Sequence, residues 1–140
     1  MADISSEKKL IRCDAAEIYN FLADFNNFES LMPAQVTNWK SDTDTCSFTI
    51  QGIGEVKLKI VEKLPHTKIV IIPDAGTKIP FTFKLICLLQ TIEASSTETI
   101  IKFEHEMPMM IAMMAGRPLQ NLVDILSTKL KERFDQKTGQ

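Results

Sequence analysis

No stretch of this chain approaches the ~20 consecutive apolar residues that a membrane-crossing helix needs. The opening segment, Met1 to Lys9, also lacks the apolar core of a secretory leader. Together these absences predict a cytoplasmic protein. Charge of one sign is missing too: 16 Lys and Arg stand against 18 Asp and Glu, for a net charge of -2, and like charges form no block. Binding a phosphate backbone takes a basic stripe or patch, so nucleic acid is not expected as a partner. Cysteine is scarce and scattered. Cys13, Cys46 and Cys87 are odd in number and match no zinc spacing, which predicts reduced thiols, no disulfide framework, no metal site and no cofactor. There is no internal repeat and no low-complexity tract, and 140 residues suit a single domain spanning 1–140. At that size ~68–70% of the unfolded surface can be buried, enough for a core and a cavity.

What is present is organised around the stretch from Pro108 to Phe134, the only run long enough for a helix that spans a domain. From Leu119 the apolar residues Leu119, Leu122, Val123, Leu126, Leu130 and Phe134 recur at steps of three and four. One amphipathic helix with a single apolar stripe follows. Gly116 and Pro118 predict a kink or break before it. A lone stripe cannot bury itself, and the upstream strands predict its partner, the concave face of a sheet.

Residues Ile4 to Ile11 form a weak first strand. Asp14, with Glu17 three positions on and Ile18, Phe21, Leu22 and Phe25 following, signals a capped helix from Ala15 to about Asp24. Phe28 and Leu31 permit one more short helix, closed by Pro33. From Val36 the period falls to two. Cys46, Phe48 and Ile50 alternate with polar residues, then Val56, Leu58 and Ile60 do the same across Gly52-Ile53-Gly54, which reads as a hairpin. A strand at Ile69 to Ile72 follows, and a final pair runs Phe81 to Glu93 and Glu98 to Met107. In that pair a three-residue loop, Ser95 to Thr97, sets the apolar odd-numbered residues of both strands on one face. Leu89 then lies opposite Phe103, Cys87 opposite His105 and Leu85 opposite Met107, with Lys84, Gln90, Lys102, Glu104 and Glu106 outside. The expected class is α+β: a curved antiparallel sheet of about six or seven strands gripping a long C-terminal helix, with two short helices after the first strand.

This order resembles the START-like helix-grip superfamily, which includes polyketide cyclase and lipid-transport proteins. The likeness is carried by the first strand's end and first helix, Ile11-Arg-Cys-Asp-Ala-Ala-Glu-Ile-Tyr-Asn-Phe-Leu-Ala-Asp, by Leu31-Met-Pro33, and by Pro118-Leu119. It implies an apolar cavity between sheet and helix and no catalytic residue, because the superfamily shares none.

Two apolar faces converging on few polar groups predict a small hydrophobic or amphipathic ligand, lipid-like or polyketide-like. Its expected contacts are Phe48, Ile50, Leu58, Phe83, Leu85, Cys87, Phe103, His105, Met109, Met113, Leu122 and Leu126. A rival reading is a cyclase-like or hydrolase-like enzyme with a Cys87 thiol activated by His105. No third residue orients that histidine, however, and His105 is equally a polar anchor or a bonded core side chain. A third reading is a co-chaperone-like interaction module with a filled core. The Met-rich segment 107–115 is apolar all round, and its cover is the protein's own core, a cavity mouth, or a second chain, a homodimer included. Arg117 could meet an acidic head group, although a solvated side chain is its ordinary state. Glu62 continues the inner face of its strand after Val56, Leu58 and Ile60 and with Glu93 suggests a carboxylate pair, but both sit at strand ends, where solvent reaches, and Trp39 reads as packing at the sheet's edge or against the short helices.

Overall fold

The computed structural model describes residues 2–52, 54–77 and 81–138, so Ile53 of the expected hairpin turn lies outside the described residues. Among the described residues, eight antiparallel strands form one open sheet: β1 (Ala2–Ser5), β2 (Lys9–Ile11), β3 (Val36–Ser41), β4 (Thr45–Ile50), β5 (Gly54–Leu64), β6 (Lys68–Pro73), β7 (Phe83–Glu93) and β8 (Ser96–His105). The spatial order is β1-β8-β7-β6-β5-β4-β3, and β2 pairs with β8 beyond β1. Between β2 and β3 lie the helix α1 (Ala15–Leu22) and two 3-10 turns, Phe25–Asn27 and Glu29–Leu31. A second helix, α2 (Met109–Thr138), closes the chain.

The expected first strand is split in two, because Ser6 to Lys8 bulge away from β8. The gap in the ladder is closed at Ile101. Its N–H donates to the Ser6 hydroxyl at 3.0 Å, and its carbonyl accepts from the Ser6 N–H at 2.9 Å. Asp14 caps α1 as its sequence position requires, its Oδ1 accepting from the Glu17 N–H at 2.9 Å.

The register of the last hairpin departs from expectation by four residues. Leu85 faces Phe103, Phe83 faces His105 and Cys87 faces Ile101, with Ala94 and Ser95 alone forming the turn. An unbulged two-residue turn would set odd residues against even and mix the two faces. A bulge between Thr91 and Glu93 absorbs one residue and restores the match. Lys84 now lies directly opposite Glu104, and Leu88 opposite Ile100 on the outer face, favourable cross-strand pairs that the slipped register would lose. The inside/outside assignment of both strands survives; the individual pairings do not.

The expected break before Leu119 is absent, since α2 runs unbroken through Gly116 and Pro118. Proline at 118 has no N–H to give the Met114 carbonyl, but Met114 is on the solvent side, where water is available to that oxygen. Helix continuity sets Ala115 and Leu119 on the same buried line as Val123, Leu126, Leu130 and Phe134. That line packs against β1, β2 and β8, and Lys129 Nζ ties the helix to the second 3-10 turn by donating to the Met32 carbonyl at 3.1 Å.

Two substitutions on this stripe should move stability in opposite directions. Leu130 is fully buried, so Leu130→Ala should cost ~2–5 kcal/mol in denaturant unfolding through lost burial and the cavity left behind. The buried Ser127 hydroxyl has no hydrogen-bond partner, so Ser127→Ala should be neutral or stabilise by up to ~1 kcal/mol, because it removes a desolvated polar group and improves helix propensity.

Candidate functional site

The inner face of the sheet and the stripe of α2 meet closely at β1, β2 and β8. Toward β3, β4 and β5 a void of about 50 Å³ remains between them. Its walls come from five places: Phe25, Phe28 and Met32 around the 3-10 turns; Trp39, Phe48, Ile50, Val56 and Leu58 from β3 to β5; Phe81 before β7; Phe83, Leu85 and Phe103 from β7 and β8; and Leu119, Leu122, Val123 and Leu126 from α2. Among the described residues, none that lines it carries a charge. Most are fully buried, but Met32, Trp39, Phe81, Leu85 and Leu122 are half-buried and form the rim.

Local sequence explains why these side chains converge. In β4 the alternation of Cys46, Phe48 and Ile50 with Ser47 and Thr49 leaves one face wholly apolar, and β5 continues it across the register pairs Phe48–Val56 and Cys46–Leu58. Phe83 and Phe103 stack face to face, centroids 4.8 Å apart at 20°, and form the floor. Trp39 reaches the interior through a bulge. Thr37 faces Thr49 and Lys40 faces Ser47, so Asn38 and Trp39 together oppose Phe48 alone. Asn38 takes a left-handed conformation, φ 59°, which asparagine tolerates better than most residues, and Trp39 stacks on Phe48 at 5.1 Å and 17°. Its indole Nε1 is buried and without a hydrogen-bond partner.

Eight of the residues expected at the ligand line the void: Phe48, Ile50, Leu58, Phe83, Leu85, Phe103, Leu122 and Leu126. Four do not. Cys87 is buried opposite Ile101, and His105 is buried opposite Phe83, where its Nδ1 accepts from the Met107 N–H at 3.3 Å. Met109 and Met113 are each 80% exposed and stand with Met110 and Met114 on the outer side of α2, one turn before the exposed Arg117. Glu62 does not extend the inner face either, because a bulge between Ile60 and Glu62 turns it outward, where it pairs with Lys68 at 3.8 Å. Glu93 lies exposed beside the β7–β8 turn.

Sequence reasoning missed Phe25, Phe28, Met32, Trp39, Val56, Phe81, Leu119 and Val123 as lining residues. Val56, Leu119 and Val123 already carried the right periodicity; the two short turns and the bulge had no such signal.

Cys87 and His105, four positions apart along the sheet, do not form the thiol–imidazole pair that nucleophilic chemistry would use. Burial pushes the Cys87 thiol up to about 12, and an unpaired thiol in apolar surroundings is unreactive. Burial also drives Cys46 up to about 12. Cys13 reaches about 12 through burial and its bond to the Glu17 carboxylate, to which its Sγ donates at 2.8 Å. The thiolate form is thus negligible near neutrality, whereas a free thiol ionises at ~8.5. In the native protein Cys87 should therefore resist iodoacetamide over about pH 6 to 9 when each cysteine is followed by mass spectrometry. Labelling of Cys87 at the rate of a free thiol would contradict this placement.

Compared with known proteins, this architecture finds close likenesses among solved structures. A START superfamily protein from Mycobacterium smegmatis superposes with a TM-score of 0.71 at 14% identity, covering 97% of this chain and 99% of that one. A protein from Deinococcus radiodurans matches with a TM-score of 0.64 at 15% identity over 100% of both chains. A conserved protein from Geobacillus kaustophilus gives 0.71 at 11% identity over 96% of each. No protein-family model matches the sequence, and no curated protein matches it. The chain has a START-like helix-grip fold. Among the described residues no helix is long and apolar enough to cross a membrane.

Proposed function

We propose that this domain binds a small hydrophobic molecule in the void between α2 and the β3–β5 side of the sheet. The observation that carries the reading is the composition of the walls: sixteen side chains from five separate segments converge, and none is charged. A residual space so uniformly apolar is the kind that stays dry and accepts an apolar guest. Its volume of about 50 Å³ exceeds what one water needs, about 10–15 Å³, but falls short of typical ligand pockets at about 300–1,000 Å³. Ligand entry on this reading is coupled to rotation of the half-buried side chains Leu122 and, above all, the unbranched Met32. Reduced cysteines agree with a cytoplasmic setting.

The exposed methionines favour a second reading, in which the outer face of α2 between Met109 and Met114 is covered by another protein chain. The two readings use opposite sides of the helix and are separable.

Titration with benzene, indole and naphthalene, followed through side-chain methyl resonances, should give saturable shifts at Leu122 and Leu126. Leu122→Phe, which fills the rim, should weaken that binding about tenfold or more at a stability cost of about 1–3 kcal/mol. Absence of saturable binding by all three compounds would refute the cavity reading. A rise in sedimentation coefficient with protein concentration, removed by Met113→Glu, would favour the second.

A further inference from the structure

The first two turns of α2 hold four methionines out to solvent. Met109, Met110, Met113 and Met114 are 78–80% exposed, whereas Leu10, Val61, Leu64 and Ile92, the next most exposed large apolar side chains among the described residues, reach only 43–51%. Methionine ordinarily goes to the interior, and an exposed apolar face marks a surface that binds something. The orientation is fixed from behind: Ile111 is half-buried and Ala115 and Leu119 are buried on the opposite side of the helix. The Ala112 N–H donates to the Pro108 carbonyl at 2.9 Å and closes the first turn. Five of the chain's seven methionines fall between 107 and 114, so what is concentrated here is the thioether and not apolar bulk, which the chain elsewhere makes from leucine and isoleucine.

Helix geometry brings these sulfurs within reach of one another. Side chains three and four residues apart are neighbours on a helix, with Cβ atoms about 5–6 Å apart, and methionine reaches further on three rotatable bonds. Met110 and Met113 are such neighbours in the middle of the face; Met109 flanks Met113 and Met114 flanks Met110, each at four residues. Three or four thioethers can therefore close on one ion. We propose that this face binds a soft monovalent metal ion, copper(I) among the biological ones, through the sulfurs of Met109, Met110, Met113 and Met114. Thioethers select copper(I), whereas hard cations prefer oxygen. The surroundings also weigh against a divalent ion. Neutral ligands leave the ion's charge uncompensated beside the positive end of the helix and one turn before the exposed Arg117, so a single charge is repelled least. The cysteine spacings, which give no zinc site, say nothing about thioethers. The site lies on the far side of α2 from the void and does not rest on the cavity reading.

Silver(I), added as its nitrate, is a redox-inert stand-in for copper(I) and tests the site in the full chain labelled with carbon-13 at the methionine methyl groups. The methyl resonances of Met109, Met110, Met113 and Met114 should shift together and saturate at one ion per chain, while Met32, at the void, should not move. Copper(I) kept reduced with ascorbate should reproduce those shifts, and zinc(II) should leave the four methyls in place. Replacing the central pair, Met110→Leu with Met113→Leu, keeps the apolar surface and nearly the same helix propensity while removing two sulfurs. The silver affinity read from the remaining methyls should then fall by at least about tenfold, the lower end of what changes even one sphere out from the ligands cost a metal site. Methyls that stay put as silver is added, including the case in which the ion goes to the thiols of Cys13, Cys46 and Cys87 instead, would overturn the proposal. So would an affinity that the two leucines leave unchanged, a face that zinc saturates, or one that copper(I) ignores. A surface that serves only to dock another chain tolerates leucine, so a sedimentation coefficient that still rises with concentration in the leucine variant, with no silver response in the native chain, would give this face to the protein-contact reading instead.

Discussion

Covering the concave apolar face of the sheet is the constraint on which everything else here depends. Phe48, Ile50, Val56, Leu58, Phe83, Ile101 and Phe103 present a surface that cannot be left to water, and among the described residues α2 is the one helix long enough to cross it. The helix packs on one side of the sheet and not on every strand. Contact is made at β1, β2 and β8, where Leu130 and Phe134 are buried. The space left toward β3–β5 is a geometric consequence of that choice. Void and core therefore share one helix: Leu119, Leu122, Val123 and Leu126 face the void, while Leu130 and Phe134 lie beyond its lining.

The architecture was legible because it is written in periodicities. The 3.6-residue stripe from Leu119 and the alternation through β4, β5, β7 and β8 report which side of each element is buried, and eight of the expected contacts line the void. Pairing is written elsewhere, in bulges that absorb a single residue. The last hairpin lies four positions from the expected register, three of them from the two-residue turn at Ala94 and Ser95 and one from the bulge between Thr91 and Glu93, with its faces intact, which is why the inner residues were identified and the Cys87–His105 pair was not formed. The same cause hid Trp39, whose place in strict alternation belongs to Asn38. Met109 and Met113 were misplaced for another reason. A segment apolar on all sides has no periodicity to orient it, so only the continuity of α2 through Pro118 settles which side faces out.

The chemistry of the site follows from what the walls omit. Three buried thiols are held far from ionisation, a histidine accepts from a backbone N–H and the glutamates turn to solvent, so the described residues that line the void carry no charged group. An interior of this kind selects mainly by fit, and fit alone discriminates modestly between similar apolar guests, by about 1–3 kcal/mol per methylene.

The bulge in β3 has a further effect, on the outside of the molecule. This strand is the free edge of the sheet, where unpaired N–H and C=O groups could recruit a strand from another chain. Asn38 in a left-handed conformation interrupts the regular ladder midway along that edge, and the adjacent Lys40 is exposed on it. A broken edge carrying a positive charge is a poor template for strand addition. The bulge that brings Trp39 to the void thus also breaks the exposed edge, so straightening β3 would change the lining of the void and present a more regular edge for strand pairing at one stroke.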